Sequence, residues 1–170
     1  MRYLGNSNYA GWQVADAAWI AKARGWAPYV SAQNHYNLLN REIEKELMPA
    51  CRNFGVGILP FFPLASGFLT GKYRRGEEPK QGTRFAAMRR LADPMMTEAN
   101  FQTIEHLDEF AGKRGHTLIE LAMGWLATQP EISSVISGAT SPEQVKENAK
   151  AIDWRLTEEE MEAVGKLTKK

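Results

Sequence analysis

Cysteine, net charge and long apolar runs are all scarce in this chain of 170 residues. Its one cysteine, Cys51, excludes an internal disulfide, which is typical of proteins from a reducing compartment. The net charge of +1 excludes the strongly basic surface of many nucleic-acid-binding proteins. No apolar run is long enough to cross a bilayer, and the first residues lack the apolar run of a signal peptide. We therefore predict a soluble cytoplasmic protein that binds neither nucleic acid nor a membrane.

The sequence also lacks the common motifs of catalytic and metal sites. It contains no Gly-x-Ser-x-Gly elbow, no paired-cysteine motif and no Walker loop. Its three histidines, His35, His106 and His116, do not have the spacing of metal ligands, so we predict surface or turn positions for all three. The residues by themselves thus predict neither a catalytic constellation nor a metal site.

Segments typical of strands and helices alternate through the first part of the chain. Apolar runs predict strands at residues 2–6, 29–33 and 56–62, and helical periodicity predicts helices at residues 10–24 and 40–54. Such alternation with short connections is typical of a parallel sheet covered by helices. The pattern therefore predicts an α/β fold.

The second part of the chain is mostly helical. Residues 74–93 are rich in charge and glycine and predict a long loop, of the kind that is functional or disordered. A fourth strand is predicted at residues 132–137, and the whole chain, residues 1–170, is expected to form one domain. Two helices begin with a capping-box pattern, at Ser141 and at Thr157. The predicted helices are residues 97–113, 117–128, 142–151 and a last one from Thr157.

The stretch from Val56 to Tyr73, VGILPFFPLASGFLTGKY, combines a strand with a glycine loop. Backbone N–H groups in such a loop, followed by the cation of Lys72, can bind an anion. Phe61 and Phe62 lie where the strand becomes a loop, so an aromatic ring could face a flat ligand. An ordinary core strand followed by a glycine loop is the alternative interpretation.

Small or polar residues follow all four predicted strands. In parallel α/β folds the carboxyl ends of the strands form one rim, where ligands bind. This placement predicts a phosphate-bearing ligand across the rim, although Ser7 and Asn8 could instead be helix caps and a capping box would account for Gln144. The residues concerned are Ser7-Asn8, Gln33-Asn34, Ser66-Gly67 and Gly138-Ala139-Thr140.

Three segments resemble the C-terminal half of the aldo-keto reductase family: RYLGNSN, SAQNHYNLLNREIEKELMPACRNFGVGILPFFPLASGFLTGKY and SGATSPEQVKENAKAI. The resemblance covers essentially the whole chain and is nearer the branch of bacterial reductases and potassium-channel β-subunits. It implies half of a (β/α)8 TIM barrel, with about four parallel strands, outer helices and a C-terminal helix. It also implies NADPH as the cofactor and, in the complete barrel, a small carbonyl substrate.

The resemblance further implies which residues bind the cofactor. Ser7, Asn8 and Gln33 match positions that hold the nicotinamide carboxamide, and Phe61 matches an aromatic ring stacked on the nicotinamide. Arg84 matches a loop arginine that closes over the cofactor. The positions that line the pyrophosphate are Leu64, Ser66, Gly67 and Lys72. The positions around the adenosine and its 2′-phosphate are Gly138, Thr140, Gln144, Glu147 and Asn148.

Two substitutions and one absence separate this chain from the family pattern. Phe62 stands where many relatives have serine, and Thr140 stands where some have arginine, which leaves the choice between NADPH and NADH open. The catalytic Asp, Tyr, Lys and His lie in the first half of the family's barrel, so this chain has no counterpart of them. In the family the catalytic tyrosine acts as the general acid toward the carbonyl oxygen. None of the tyrosines of this chain matches it in position: Tyr3, Tyr9, Tyr29, Tyr36 and Tyr73.

The resemblance therefore implies an NAD(P)H-dependent oxidoreductase of which this chain supplies the cofactor-binding half. The half-barrel would form a homodimer or pair with a separate N-terminal half, because four strands cannot close at the usual barrel geometry. The alternatives are a non-catalytic half-barrel that binds NADPH or a partner, and a truncated fragment without activity.

Overall fold

The computed structural model describes residues 2–169, so Met1 and Lys170, the two ends of the predicted single domain, lie outside the described residues. The chain divides into two compact units. The first contains the residues up to Pro63 together with Leu126–Ser137, and the second contains Leu64–Trp125 and the residues from Gly138 onwards. The single domain stays a prediction.

The first unit contains a parallel three-stranded sheet. Its strands are β1 (Leu4–Ser7), β2 (Tyr29–His35) and β3 (Gly57–Phe61), in the order β1-β2-β3. Both pairings are parallel, as the alternation of strands and helices predicted. Because each strand is followed by a helix or helical turn before the next parallel strand, the observed order agrees with a part of a βα barrel.

The predicted fourth strand is present only in reduced form. Ile132 forms an isolated parallel bridge with Ile58, and Ile136 forms one with Phe61. Ile58 donates its N–H to the carbonyl of Glu131 at 2.8 Å, so this segment runs beside β3 in the expected direction. The prediction of a continuous strand over residues 132–137 is wrong, because these bridges do not extend into a regular ladder.

Two α-helices of the first unit end on glycines in the left-handed conformation. Helix α1 (Gly11–Arg24) ends at Gly25, with φ 64°, and helix α2 (Leu47–Phe54) ends at Gly55, with φ 66°. Glycine adopts such φ values without the steric cost of a side chain, which is why both helices end there. The predicted helix over residues 40–54 is shorter than expected, since Glu42–Glu44 form a separate 3₁₀ turn.

The aromatic side chains of α1 share one face, but this face is turned to solvent. Trp12 and Trp19 are 62% and 58% exposed, whereas Val14 and Ala21 are buried. Lys22 lies over the Trp19 ring, with Nζ 5.0 Å from its centroid. The helical spacing predicted correctly that the two tryptophans share a face, but the buried side chains of α1 belong to other residues.

The regular secondary structure among the described residues of the second unit is all helical. Helix α5 begins at Thr97, whose hydroxyl accepts from the N–H of Asn100, and α8 begins at Thr157 with the reciprocal bonds of a capping box to Glu160. These two starts follow from the cap preferences of threonine. The helices are α3 (Arg84–Ala87), α4 (Arg89–Ala92), α5 (Glu98–Gly112), α6 (Leu118–Thr128), α7 (Pro142–Lys150) and α8 (Glu158–Leu167), and the last residues of α6 belong to the first unit.

An aromatic cluster forms part of the core of the second unit. Phe68 packs edge to face against Phe101, at 5.1 Å between ring centroids, and Tyr73 stacks on Phe85 at 4.5 Å. The Tyr73 hydroxyl also accepts from the N–H of Phe85. The prediction of an irregular loop over residues 74–93 is therefore wrong in part, because Phe85 anchors the two short helices α3 and α4 within this segment.

Candidate functional site

The ends of β1 and β2 bring three of the predicted nicotinamide-binding residues together. Ser7 Oγ donates to the Gln33 carbonyl at 3.1 Å, and the N–H of Asn8 donates to the same oxygen at 3.0 Å. Asn8 has φ 59°, a left-handed conformation that asparagine adopts more readily than most residues. Helix α1 is capped at Ala10, whose N–H donates to Gln13 Oε1, so the alternative role of Ser7 and Asn8 as helix caps is wrong.

Register places the relevant side chains on one face of the sheet. Ser7 is the partner of Gln33, and His35 is the partner of Phe61. Because side chains alternate along a strand, Gln33 and His35 lie on the face opposite the buried Asn34. Ser7, Gln33, His35 and Phe61 thus share a half-open face at the carboxyl end of the sheet.

Three rings meet at the end of β3. Phe61 and His35 are stacked with 5.5 Å between ring centroids and 16° between ring planes, and Phe62 meets Phe61 edge to face at 5.2 Å. Phe62 also has φ 55°, which is unusual for a bulky residue. The prediction of a surface or turn position is wrong for His35, which is half-buried and ends β2.

The imidazole of His35 is held on both sides by amide side chains. Asn37 Nδ2 lies 3.1 Å from Nε2, and the Asn40 amide lies 2.8 Å from Nδ1. Asn37 Nδ2 also donates to the Phe62 carbonyl, while its Oδ1 accepts from the N–H groups of Leu39 and Asn40. Burial lowers the pKa of His35. The sequence analysis missed Asn37 and Asn40, although polar residues after a strand were a signal for them.

The loop after β3 belongs to the second unit and has an unusual run of left-handed residues. Leu64 has φ −98° and ψ 21°, and Ala65, Ser66 and Gly67 follow with φ 47°, 59° and 93°. A right-handed residue followed by a left-handed one forms a concave nest of N–H groups that suits an anion. Lys72 Nζ lies 2.8 Å from where a Cβ on Gly67 would be, so only glycine leaves room for the ammonium group there.

This loop has two features that suit an anion. The Gly67 N–H donates to the Leu64 carbonyl at 2.8 Å, so the nest consists of the N–H groups of Ala65 and Ser66, with the Lys72 cation nearby. A side chain at Gly67 would push Lys72 away from the loop. The structure therefore brings the predicted pyrophosphate residues Leu64, Ser66, Gly67 and Lys72 into one continuous loop.

The predicted adenosine residues lie around the start of α7. Gln144 Oε1 accepts from the backbone N–H of Thr140 at 2.8 Å and from its hydroxyl at 3.1 Å. The predicted capping box forms only in part: Ser141 Oγ accepts from the Gln144 N–H at 3.3 Å, but the glutamine side chain reaches one residue further back than Ser141. Asn148 Nδ2 donates to the Gly138 carbonyl at 3.4 Å, so two side chains of α7 hold the preceding loop.

Two further predicted residues lie on the surface of the second unit. Glu147 is exposed on α7, next along the chain to Asn148. Arg84 is exposed at the first residue of α3, directly before the buried Phe85. The described contacts place Gln144 and Asn148 together with Gly138 and Thr140, whereas Arg84 stands on an element of its own.

Three tyrosines of the first unit, Tyr9, Tyr29 and Tyr36, make structural contacts. Tyr36 is fully buried, its hydroxyl donates to Glu44 Oε1 at 2.7 Å, and burial raises its pKa. Tyr9 and Tyr29 meet edge to face at 5.9 Å between centroids, and a hydrogen bond with Tyr9 raises the pKa of Tyr29. A general acid needs a pKa near the working pH, so a raised pKa is unfavourable for that role.

Residues 2–169 show neither a metal-ligand cluster nor a membrane-spanning helix. Within that range, no three His, Cys, Asp or Glu residues are grouped closely enough to hold a metal ion. The helices in the same range are all too short or too polar to span a bilayer.

A family profile and several known proteins match this chain. The profile of the Aldo/keto reductase family matches residues 1–169. A probable voltage-gated potassium channel subunit beta from Oryza sativa subsp. japonica is 36% identical over 89% of this chain and 47% of its own length. L-glyceraldehyde 3-phosphate reductase from Escherichia coli strain K12 is 36% identical over 89% of this chain and 44% of its own length.

A fungal enzyme gives a similar match. Versiconal hemiacetal acetate reductase from Aspergillus parasiticus is 29% identical over 95% of this chain and 46% of its own length. The chain thus spans about half the length of the curated relatives that it matches.

Proposed function

The chain belongs to the aldo/keto reductase family, and from this we propose that it binds NADPH as the cofactor-binding half of an enzyme that reduces aldehydes or ketones. The observation that carries the proposal is the loop after β3. Its left-handed run from Ala65 to Gly67 and the ammonium group of Lys72 are suited to a pyrophosphate. Two relatives that match this chain are themselves named as reductases.

We assign the nicotinamide end of the cofactor to the first unit. Ser7, Asn8 and Gln33 are joined by hydrogen bonds and offer amide and hydroxyl groups to a carboxamide. Phe61 offers a ring face to the nicotinamide, and Phe62, which replaces the serine of many relatives, restricts that ring by contact with its edge. These residues would orient the ring that supplies the hydride.

We assign the phosphates and the adenosine to the second unit. Leu64, Ser66, Gly67 and Lys72 would hold the pyrophosphate. The loop before α7 would hold the adenosine end, with Arg84 closing over the cofactor. Thr140 offers a hydroxyl rather than a guanidinium to the 2′-phosphate, so we expect only modest preference for NADPH over NADH. The residues of that loop and helix are Gly138, Thr140, Gln144, Glu147 and Asn148.

In this proposal the acid that the reaction requires comes from outside this chain. NADPH, when bound, supplies a hydride for the carbonyl carbon, and the carbonyl oxygen must then receive a proton from a positioned acid. The Tyr36 hydroxyl donates to Glu44, and Tyr9 and Tyr29 pack edge to face, so we assign the proton to none of these three tyrosines. In this proposal the residues of the chain bind and orient the cofactor, and the proton comes from a first half-barrel.

The edge of the sheet is the place where we propose that a first half-barrel pairs. Strand β1 lies at the edge of the order β1-β2-β3. An edge strand presents backbone donors and acceptors that pair readily with another strand. We propose that this edge pairs either with a separate first half-barrel or with a second copy of this chain. We also propose that the resulting oxidoreductase is cytoplasmic.

A non-catalytic NADPH-binding role is the second candidate. The similarity to a probable potassium channel subunit beta favours it, because that relative is named for assembly with a channel rather than for a reaction. Both candidates share the cofactor site and differ only in whether a first half with an acid completes the barrel.

A titration with NADPH tests the cofactor site directly. We would follow tryptophan fluorescence of the chain, of Lys72→Gln and of the matched surface variant Lys80→Gln. Loss of a charge-assisted contact should weaken binding of NADPH by Lys72→Gln about 10-fold, whereas Lys80→Gln should bind like the wild type. Equal affinity of Lys72→Gln and the wild type would contradict the phosphate assignment. No saturable quenching by the wild type would contradict the cofactor role itself.

Mixing distinguishes the two candidates. A first half-barrel from a related reductase is added to the chain, and carbonyl-dependent oxidation of NADPH is followed. Activity that appears only in the mixture supports the reductase, and NADPH binding without activity in any mixture supports the non-catalytic role.

A further inference from the structure

We propose that His35 is a positioning residue, whose imidazole supports the Phe61 ring and thereby fixes the surface on which the nicotinamide stacks. The inference rests on the proposed function, because it assigns a role at the nicotinamide end of that same site. His35 does not take part in hydride or proton transfer in this proposal. It acts through Phe61.

The stack between the two rings is set by the sheet. His35 and Phe61 are partners in the parallel pairing of β2 and β3, so their side chains leave the sheet next to each other. Their planes differ by only 16°, which is the offset-stacked arrangement that aromatic rings favour. With Phe62 against its edge, the Phe61 ring has neighbours on two sides and little rotational freedom.

The amides around His35 determine which ring nitrogen carries the proton. Asn37 is pinned, because Oδ1 accepts from two backbone N–H groups, of Leu39 and Asn40, and Nδ2 donates to the Phe62 carbonyl. Its Nδ2 therefore faces His35 Nε2 as a donor, and Nε2 must be the acceptor. The proton of the neutral imidazole is then on Nδ1.

The Asn40 amide follows from this tautomer. A neutral imidazole offers one lone pair on its ring nitrogens, and Nε2 uses it toward Asn37. This tautomer requires the Asn40 side chain, 2.8 Å from Nδ1, to turn its oxygen to the Nδ1–H, at the cost of the long 3.4 Å bond that Asn40 Oδ1 accepts from the Glu42 N–H. Clamped in this way, the imidazole keeps one orientation against Phe61.

Binding of two nucleotides separates a positioning role from general damage. NADPH carries the nicotinamide, whereas 2′,5′-ADP lacks it. His35→Ala should weaken the binding of NADPH about 2- to 10-fold, which corresponds to loss of one aromatic contact. The affinity for 2′,5′-ADP should be unchanged. His35→Phe keeps the stack and should retain NADPH affinity. His106→Ala, at an exposed position of α5, should bind both nucleotides like the wild type.

A spectroscopic measurement tests the clamp without any cofactor. ¹⁵N–¹H correlation spectra of the imidazoles in the full chain should show His35 as the neutral Nδ1–H tautomer at pH 7.5. The Nε2–H tautomer or an imidazolium would overturn the clamp. Circular dichroism of His35→Ala and His35→Phe shows that the variants compared are folded.

The binding results distinguish failure of the positioning role from failure of the proposed function. Unchanged NADPH affinity in His35→Ala, or an equal loss for NADPH and 2′,5′-ADP, overturns the positioning role and leaves the proposed function in place. A wild-type chain that binds neither nucleotide overturns the proposed function and the positioning role together, while the spectrum still reports on the clamp.

Discussion

Asn37 holds the end of β3 to the segment after β2, and its replacement should cost substantial stability. The residue is fully buried. Asn37→Ala removes the donor to the Phe62 carbonyl, the acceptor of the Leu39 N–H and the contact with His35 Nε2. The N–H of Asn40 keeps its bond to the backbone carbonyl of residue 37. With three groups losing a partner at about 1 kcal/mol each, we expect a loss of about 3 kcal/mol.

Asn37→Asp separates the acceptor function from the donor function and adds a dependence on pH. The carboxylate keeps the bonds from the N–H groups of Leu39 and Asn40, but it faces the Phe62 carbonyl and His35 Nε2 with acceptors. A carboxylate next to His35 favours the imidazolium and raises the pKa of His35 above that in the wild type.

The sign of the pH effect follows from these two pKa shifts. In the wild type burial lowers the pKa of His35, so the unfolded state binds more protons and stability falls as the pH drops below about 6.5. In Asn37→Asp the pKa of His35 is higher than in the wild type, so protonation on acidification destabilises the folded variant less than it destabilises the wild type. The difference in free energy of unfolding between the wild type and Asn37→Asp should therefore become smaller as the pH falls from 8 to 5.5.

Urea unfolding at pH 8 and pH 5.5 measures both effects. The wild type is compared with Asn37→Ala, Asn37→Asp and the control Asn53→Ala, whose side chain is exposed on α2 and should change stability by less than about 0.5 kcal/mol. A cost below about 1 kcal/mol for Asn37→Ala would refute the role of Asn37. A deficit of Asn37→Asp that is constant or grows on acidification would refute the protonation argument.

Three further predictions concern packing and thiol chemistry. A Cβ on Gly124 would lie 2.3 Å from the Trp154 carbonyl, so Gly124→Ala should lower the free energy of unfolding by about 1–3 kcal/mol in urea titrations, and an unchanged midpoint would contradict this packing. A Cβ on Gly11 would lie 2.6 Å from the Glu46 carbonyl, so thermal unfolding of Gly11→Ala should occur at lower temperature, despite the better helix propensity of alanine. Burial, and secondarily a nearby carboxylate, raises the pKa of the Cys51 thiol to about 11. Iodoacetamide at pH 8 should therefore modify this thiol only after unfolding. Modification of the native chain at the rate of a free thiol would contradict this environment.

Features that depend on neighbouring residues were predictable from the sequence. Gly25 and Gly55 end their helices because glycine adopts the left-handed conformation, and Thr157 with Glu160 begins α8 because a capping box needs residues at that spacing. The parallel arrangement of the strands followed from the alternation of strands and helices. The meeting of Ser7 and Gln33 at one edge of the sheet followed from the same alternation.

Features that depend on distant residues required the tertiary structure. Asn37 bonds to the Phe62 carbonyl 25 residues away, and this bond joins His35 to the end of β3. Phe85 anchors a segment without apolar periodicity, because its burial depends on Tyr73 and on the second unit's other aromatic rings. A sequence pattern records the chemistry of each side chain, but the partner of a side chain depends on which strand or helix packs beside it. That choice is made by the summed packing of many residues.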